Sequence, residues 1–228
     1  MILLVLLTIP LAASLILAII GDRKYAPEVN ILCSASACAA SVALGVKVYE
    51  EGPLLAWNNF FFVDAFSIYL SVLTAFVSMT TAIFSRRYMR REREQGTIGH
   101  HRMRFYHAMY QLFIFAMLLC LLTNNVGILW IAMELATLST VLLVSLYRTP
   151  TSIEAAWKYF ILCGVGSSLA LFGTVLLYFA AEKVLGAGGA ALHWTNLAQV
   201  SNQLEPTILS LAFVFLMVGY GTKVGLVP

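Results

Sequence analysis

Two ionisable residues, Glu134 and Lys223, lie in apolar stretches of the sequence where a charged side chain is costly. Glu134 is within an apolar run over residues 126–146, and Lys223 is near the end of a second run over 208–224. A charged group at the centre of a membrane helix costs on the order of 3 kcal/mol on insertion scales, and such groups usually have a partner or a function. An acid and a base in neighbouring membrane helices are what a proton path requires. We therefore predict that Glu134 and Lys223 form the central pair of such a path.

The depth of Glu134 favours this interpretation. It lies about eight residues into its run, which is about 12 Å at the helical rise of 1.5 Å per residue and close to the membrane midplane. The proton affinity of a carboxylate changes when a nearby ammonium moves, and this is the coupling that a pump requires. The alternative is that Glu134 only joins two helices by pairing with a base or with backbone groups. Carboxylates inside membranes are usually functional, so we favour the proton path.

Lys223 is surrounded by residues that weaken helices. Gly219, Gly221 and Gly225 flank it, and Pro228 follows. Glycine and proline destabilise a helix interior, and interrupted helices at membrane depth line cavities. We therefore predict a broken helix at Lys223 and a functional lysine. The alternative is that the side chain snorkels to the membrane interface, since Lys223 lies about 24 Å along its predicted helix.

Two further residues are candidates for the same path. Lys158 follows Glu154 by four residues, in the favourable order for a helical ion pair. It is either an interfacial anchor at the entrance to the sixth span or a relay between Glu134 and Lys223. His107 lies near the start of the fourth span, and an unperturbed imidazole titrates close to neutral pH. It is a candidate for proton uptake, with a satisfied interface residue as the alternative.

The composition is that of an integral membrane protein. Hydrophobic residues make up 61% and charged residues 11% of the 228 residues, against about 45–50% and about 25% in soluble domains. Continuous apolar runs predict helices, because barrel strands alternate every second residue. We predict an all-α polytopic transmembrane helix bundle of about seven spans. The predicted spans are 1–20, 29–48, 65–84, 105–122, 126–146, 152–180 and 206–224.

The connections between these spans alternate in charge. Lys and Arg are enriched on the cytoplasmic side of membrane proteins. The first, third and fifth connections carry the basic residues, so we predict that they are cytoplasmic and that the N-terminus is outside. These basic residues are Arg23 and Lys24, then Arg86, Arg87, Arg90, Arg91, Arg93, Arg102 and Arg104, then Arg148. The second connection instead carries Glu50, Glu51 and Asp64.

The basic third connection, residues 85–104, has two interpretations. It is either a topology determinant that meets anionic headgroups or a docking surface for a peripheral partner. Its histidines, His100 and His101, are adjacent and solvated, and the four cysteines form no CxxC pair. We therefore expect no metal site, no cofactor and no nucleic-acid partner in this chain.

The two ends of the sequence raise separate expectations. Residues 1–20 lack the basic segment that precedes the apolar core of a secretory signal, and Arg23 and Lys24 follow the apolar stretch. We expect a retained first helix, with a cleaved signal as the alternative. The sequence stops at Pro228, in or near the predicted seventh helix. Because helix termini are rarely left in hydrocarbon, we expect a chain truncated in the seventh helix.

The sequence resembles the proton-translocating, antiporter-like subunit family shared by respiratory complex I, Mrp-type sodium/proton antiporters and membrane-bound energy-converting [NiFe] hydrogenases. The amino-acid sequence of the fifth and sixth spans is most similar to the hydrogenase-4 or formate hydrogenlyase branch. The resemblance covers about residues 61–228. It rests on 62–67 (FVDAFS), 85–89 (SRRYM), 129–134 (LWIAME), 154–159 (EAAWKY) and 219–228 (GYGTKVGLVP).

The resemblance implies a role for the buried pair. Glu134 would be its acidic member and Lys223 the lysine of the broken seventh helix, with charge movement passed from a redox module into proton transfer. Family members continue after this proline with a second, inverted helical repeat. We therefore expect residues 1–104 to form three N-terminal helices with a basic loop, and 105–228 to be an incomplete first repeat.

Three functional hypotheses follow from the sequence. The first is a proton-translocating membrane subunit of an energy-converting oxidoreductase complex, with no redox chemistry in this chain. Its partners would be other membrane subunits and a peripheral redox module, in the inner (plasma) membrane. The second is a subunit of a multi-subunit sodium/proton antiporter. The third is a membrane scaffold that moves no ions.

Overall fold

The computed structural model describes residues 1–226, which form a bundle of α-helices. Seven of these helices are long and apolar enough to cross a membrane. Val227 and the predicted helix-breaking residue Pro228 lie outside the described residues. The seven long helices are α1 (Ile2–Ile20), α2 (Ala26–Glu51), α3 (Ala65–Glu94), α4 (His100–Leu122), α5 (Val126–Val144), α6 (Pro150–Leu185) and α8 (Pro206–Val224), and α7 (Trp194–Val200) is short.

The prediction of an all-α bundle with about seven spans is confirmed for the described residues. The seventh span matches α8 at both ends. The connections hold more structure than the sequence indicated. Between α2 and α3 the short strands β1 (Leu54–Ala56) and β2 (Phe61–Val63) pair antiparallel, and α7 lies between α6 and α8.

The basic segment 85–104 was predicted as a loop, and this is wrong for most of its length. α3 continues to Glu94 and α4 already begins at His100, so only residues 95–99 connect them. Arg and Glu are good helix formers, so a helix continues past the bilayer edge until a breaker stops it. Gly96, in a left-handed conformation at φ 74°, provides that break.

Helices α1–α4 share one apolar core. The buried leucines of α1 meet Leu44 and Val48 of α2, Ile68 and Ala82 of α3, and a stripe on α4. That stripe consists of Tyr110, Ile114, Leu118 and Leu122. α4 packs closely on α1 and on α5 as well, so it joins the N-terminal helices to the second half of the bundle.

Ion pairs hold the basic end of the bundle together, where the α1–α2 loop meets α3 and α4. Arg104 Nη2 donates to Asp22 Oδ2 at 3.0 Å, and Arg93 Nη1 donates to the Asp22 carbonyl at 2.7 Å. The hydrogen bond from the Arg104 guanidinium holds the pKa of the Asp22 carboxyl below its usual value. Glu28 accepts from Arg86 at 2.7 Å and also from Arg90.

The opposite end of the bundle is closed by backbone and amide hydrogen bonds. Asn124 Nδ2 donates to the Asn59 carbonyl at 2.8 Å and to Thr195 Oγ1 at 2.9 Å. The hairpin loop, the α4–α5 connection and α7 are thereby joined. The next residue, Asn125, caps α5 by accepting from the backbone N–H groups of Gly127 and Ile128.

Helices α6 and α8 approach each other closely because glycines face the contact. A Cβ atom built on Gly219 would lie 2.5 Å from the Ala170 nitrogen and 2.7 Å from the Gly166 carbonyl oxygen. A Cβ on Gly166 would overlap the Thr222 side chain, whereas one on Gly164 meets nothing within 4 Å. Small residues allow such backbone contact between membrane helices.

This contact predicts opposite effects for two glycine substitutions in otherwise similar helix interiors. Gly219→Ala should destabilise the protein by about 1–3 kcal/mol, because the added methyl meets backbone atoms that cannot rotate away. Gly164→Ala should be neutral or stabilise by up to about 0.5–1 kcal/mol, because it removes glycine entropy without a clash. Denaturant unfolding in mixed micelles, followed by tryptophan fluorescence, measures both. Equal effects of the two variants would contradict the close α6–α8 contact.

Candidate functional site

Glu134 and Lys223 come together between α5 and α8. Lys223 Nζ lies 4.0 Å from Glu134 Oε2, and the two side chains are 10% and 22% exposed. The separation is beyond hydrogen-bond length, so the charges face each other without a direct bond. The side chain of Lys223 is therefore turned into the bundle, and it does not extend along the surface as the snorkelling alternative required.

Two hydroxyl groups occupy the hydrogen bonds that the ion pair leaves unused. Lys223 Nζ donates to Thr137 Oγ1 at 2.5 Å, and the Ser167 hydroxyl donates to Glu134 Oε2. Thr137 Oγ1 in turn donates to the Met133 carbonyl at 2.9 Å, so its lone pair is available to the ammonium. Each charged group thus has a neutral partner in addition to the opposite charge.

Trp130 fixes the position of Ser167 relative to α5. Trp130 lies four residues, or about one helical turn, before Glu134 on α5. Its indole Nε1 donates to the Ser167 carbonyl at 2.8 Å. One residue of α6 is thereby held twice by α5, through its backbone by Trp130 and through its side chain by Glu134. This double attachment explains the geometric role of the tryptophan in the LWIAME segment.

A second hydroxyl contact lies on the side of the pair toward the C-terminal end of α5. Thr140 Oγ1 is 3.2 Å from the Tyr159 hydroxyl, and Thr140 also donates to the Thr137 carbonyl at 2.8 Å. Thr137 and Thr140 are neighbours on one face of α5. Thr140 and Tyr159 therefore extend the polar face of α5 from Thr137 toward the end of the bundle that carries Arg148.

Lys158 does not join the pair. Its ammonium is 2.5 Å from Glu154 Oε1, and the side chain is 76% exposed. It lies nine residues before Ser167 on α6, about 13 Å along the helix axis. The structure places Lys158 in the exposed ion pair that the i,i+4 spacing indicated, and a relay role stays a prediction.

His107 is also apart from the pair, and its role in proton uptake stays a prediction. It is fully buried, and neither ring nitrogen has a hydrogen-bond partner among residues 1–226. It is therefore not a satisfied interface residue. It lies on α4, which packs against α2 and α3.

The predicted interruption of the helix at Lys223 lies one to two residues further on than the glycine pattern indicated. α8 is regular through Gly219, Gly221 and Lys223 and ends at Val224. Gly225 adopts a left-handed conformation at φ 78°, and the Leu226 backbone N–H donates a hydrogen bond to the Gly221 carbonyl at 2.9 Å. Gly219 serves the contact with α6, so only Gly225 acts as the helix stop.

Sequence reasoning missed Thr137 and Ser167. Thr137 stands three residues after Glu134, a spacing that places both on one helix face, and this signal was available. Ser167 had no comparable signal, because serines in membrane helices commonly bond their own backbone, as Ser168 does here to the Gly164 carbonyl. The described residues hold no cluster of His, Cys, Asp and Glu that could bind a metal ion.

The fold and the buried acid–base pair define a polytopic helical membrane protein, and comparison with known proteins confirms the resemblance inferred from the sequence. Residues 123–228 match the family model described as NADH:quinone oxidoreductase/Mrp antiporter, TM. The matched region contains Glu134, Thr137, Ser167 and Lys223.

Individual relatives extend the similarity to the N-terminal helices. The chain is 44% identical over 219 residues to a hydrogenase-4 component F homolog of Methylacidiphilum infernorum, covering 96% of this chain and 45% of the relative. It is 29% identical over 212 residues to NADH-quinone oxidoreductase subunit N of Herminiimonas arsenicoxydans, covering 90% and 40%. The chain therefore spans less than half the length of these relatives.

A solved structure supports the fold. The membrane-bound sulfane sulfur reductase, an archaeal respiratory membrane complex, contains a chain that superimposes with a TM-score of 0.81 at 19% identity. The match covers 96% of this chain and 44% of that chain. At this identity the comparison establishes the arrangement of helices alone.

The hydrogen bond from Ser167 to Glu134 predicts a difference between two adjacent serines. Ser167→Ala should destabilise the protein by about 1.5–3 kcal/mol, because it removes a donor to a largely buried carboxylate. Ser168→Ala should stay within about 0.5 kcal/mol, since its hydroxyl only bonds its own helix and is exposed. Unfolding of both variants in the same micelles measures this. A negligible loss for Ser167→Ala would show that the hydroxyl does not support Glu134.

Proposed function

We propose that this chain is a proton-translocating membrane subunit of an energy-converting oxidoreductase complex, of the hydrogenase or complex I type. The observation that carries the proposal is the approach of Lys223 Nζ to within 4.0 Å of Glu134 Oε2 inside the bundle. Ionisable groups at membrane depth that face each other in the protein interior mark proton pathways in pumps and transporters. The chain itself carries no redox chemistry.

The proposed mechanism uses the two alternative partners of each charged group. In the present arrangement the ammonium is bonded to Thr137 and the carboxylate to Ser167. Since each charge stabilises the ionised form of the other, a change in their separation changes the proton affinity of both groups. A movement of α5 against α8 by about 1 Å would exchange the hydroxyl contacts for a direct ion pair. Such a movement, driven from a neighbouring subunit, would load or release a proton at Glu134.

The partners follow from the named relatives and belong to the proposal. The hydrogenase-4 and NADH-quinone oxidoreductase relatives are components of larger enzymes by name. We therefore propose that this chain assembles with other membrane subunits and with a peripheral redox module, in the inner (plasma) membrane. The basic end of the bundle, which the positive-inside pattern places in the cytoplasm, would face that module.

Substitution of the pair tests the proposal in the assembled complex. Glu134→Gln and Lys223→Ala should each abolish or strongly reduce electron-transfer-driven acidification in proteoliposomes while the complex stays intact. The matched controls are Glu51→Gln and Lys47→Ala, which remove an exposed i,i+4 pair of the same chemistry and should leave pumping unchanged. Subunit composition after detergent extraction shows whether assembly is preserved. Unaltered pumping by both site variants would favour the scaffold hypothesis.

Lys158→Ala tests the remaining part of the sequence-based site. Because Lys158 is exposed and paired with Glu154, we expect this variant to keep most of the pumping activity. A loss as large as that of Lys223→Ala, with the complex intact, would instead establish Lys158 as a relay. The same proteoliposome assay measures both variants side by side.

The sodium/proton antiporter alternative rests on the same pair, so the coupled ion must be measured separately. In the redox-driven hypothesis, proton uptake requires the electron donor and proceeds without sodium. In the antiporter hypothesis, an imposed proton gradient drives sodium movement without any electron donor. Sodium-22 flux and pH-dye fluorescence in the same vesicles distinguish the two.

A further inference from the structure

A groove between α2 and α3, which we call the α2–α3 groove, opens where the apolar run of α3 gives way to its basic end. It has a volume of about 670 Å³. Its apolar lining consists of Ile31 of α2 and of Ile83 and Phe84 of α3. Its basic lining follows directly along α3 and consists of Arg86, Arg87 and Arg90. One groove therefore combines an apolar part with a strongly basic part.

The charges around the α2–α3 groove do not balance. Glu28 of α2 accepts from Arg86 at 2.7 Å and also from Arg90, and both contacts use the same carboxylate oxygen, Oε1. Arg87 is exposed and has no carboxylate oxygen within 4.0 Å among residues 1–226. Three guanidinium groups therefore face one carboxylate, and two positive charges are left without a counter-charge.

The arginines of the α2–α3 groove keep free donors for an anion. A guanidinium carries five N–H groups, and the contact with Glu28 engages one Nη2 atom on each of Arg86 and Arg90. Arg86 Nε is buried and has no hydrogen-bond partner among residues 1–226. Guanidinium forks bind phosphate oxygens by paired N–H bonds. Glu28 also holds two of the three arginines in place, which lowers the entropy lost when they bind an anion.

The α2–α3 groove lies at the level of the lipid headgroups. Phe84 ends the apolar run of the third span, and Ile31 is near the start of the second. Tyr88 also lines the groove, and tyrosine is enriched at membrane–water interfaces. The positive-inside pattern places this end of the bundle in the cytoplasm, and the cytoplasmic leaflet carries anionic lipids. Basic pockets between membrane helices on this side bind anionic lipid headgroups.

An exposed apolar stripe on α3 continues from the α2–α3 groove across the membrane. Ile83, Phe76 and Tyr69 are spaced by seven residues, so they share one face of the helix. All three side chains are exposed. The stripe extends over 14 residues, or about 21 Å at 1.5 Å per residue. This length exceeds the hydrocarbon part of one leaflet, about half of 30 Å, so an acyl chain can lie along it.

We propose that the α2–α3 groove binds one anionic phospholipid of the cytoplasmic leaflet. Its phosphate is held by Arg87 and by the free N–H groups of Arg86 and Arg90, and an acyl chain lies along Ile83 and Phe76. The lipid supplies negative charge to the basic part of the groove and covers the apolar part. The inference does not depend on proton movement by Glu134 and Lys223.

Two other occupants fit the α2–α3 groove less well. A zwitterionic lipid brings its own cation to a site that already holds two uncompensated positive charges. An acidic segment of a peripheral protein would reach the arginines from the water and leave Ile31, Ile83 and Phe84 uncovered. An anionic phospholipid matches both the charge and the membrane depth of the groove.

Photocrosslinking in the purified complex tests the proposal. The probe is phosphatidylglycerol with a diazirine in its acyl chain, incorporated into nanodiscs of phosphatidylcholine, and labelled peptides are identified by mass spectrometry. We expect labelling of α3 around Ile83 and Phe84. Unlabelled phosphatidylglycerol should compete with the probe. Phosphatidylcholine with the same chains should not compete, because its headgroup has no net charge, and inorganic phosphate should not, because it lacks acyl chains.

Two arginine variants separate the groove from general attraction to an anionic surface. Arg87→Gln should lower this labelling about five-fold, the contribution of one basic residue near an anionic membrane. The matched control is Arg91→Gln, one turn further along α3, which removes the same charge from an exposed position outside the groove lining and should keep the labelling. Both side chains are exposed, so both variants should fold and assemble.

Three results would overturn the proposal. The first is equal labelling by a phosphatidylcholine probe that carries the same diazirine, which would mean ordinary contact with bulk lipid. The second is an equal loss of labelling in Arg87→Gln and Arg91→Gln, which would mean attraction without a site. The third is a segment that neither lipid labels and that cross-links to another subunit, which would make the groove a protein interface. None of these results bears on pumping by Glu134→Gln or Lys223→Ala.

Discussion

The backbone contact between α6 and α8 sets the geometry on which the buried pair depends. Gly166 and Thr222 touch at this contact, and each is the immediate neighbour of a site residue, Ser167 and Lys223. Glycine at this point lets α8 lie against α6 without an intervening Cβ atom. α5 is attached to the same turn of α6 through Trp130. Helix packing therefore sets the distance from Lys223 to Glu134 in this arrangement, and a shift of the helices would change it.

The arrangement balances the cost of burying charge against the need to move it. A direct, fully bonded ion pair would be the most stable way to keep both groups inside the bundle, because an unpaired buried charge costs several kcal/mol. The observed pair is instead held at 4.0 Å, with a hydroxyl bonded to each partner. Neutral hydroxyl partners keep each group solvated while the charges separate. An ion pair that only joined two helices would gain nothing from this separation.

The sequence predicted the helices well because hydrocarbon imposes a simple rule, that long apolar runs form helices. Prediction from the sequence failed in the segments outside the apolar runs, where hydrocarbon does not constrain the backbone. α3 runs ten residues past the predicted end of its span at Phe84, since Arg86 to Glu94 favour helix on their own and no breaker precedes Gly96. The β1–β2 hairpin and α7 lie outside the apolar runs and are held by amides such as Asn124, whose partners are more than sixty residues away.

The same distinction applies to the site. Glu134 and Lys223 could be predicted because a charge in an apolar run is conspicuous and needs a partner. The spacing of Thr137 from Glu134 could have indicated its place beside the pair, but Ser167 could not be predicted, because small hydroxyls are common in membrane helices and only packing shows which ones face a charge. His107 is an intermediate case: as a histidine it was a visible candidate in the sequence, but only the fold shows that its ring is buried. A protonatable group is visible in a sequence, whereas the neutral groups that control its protons become visible only in the fold.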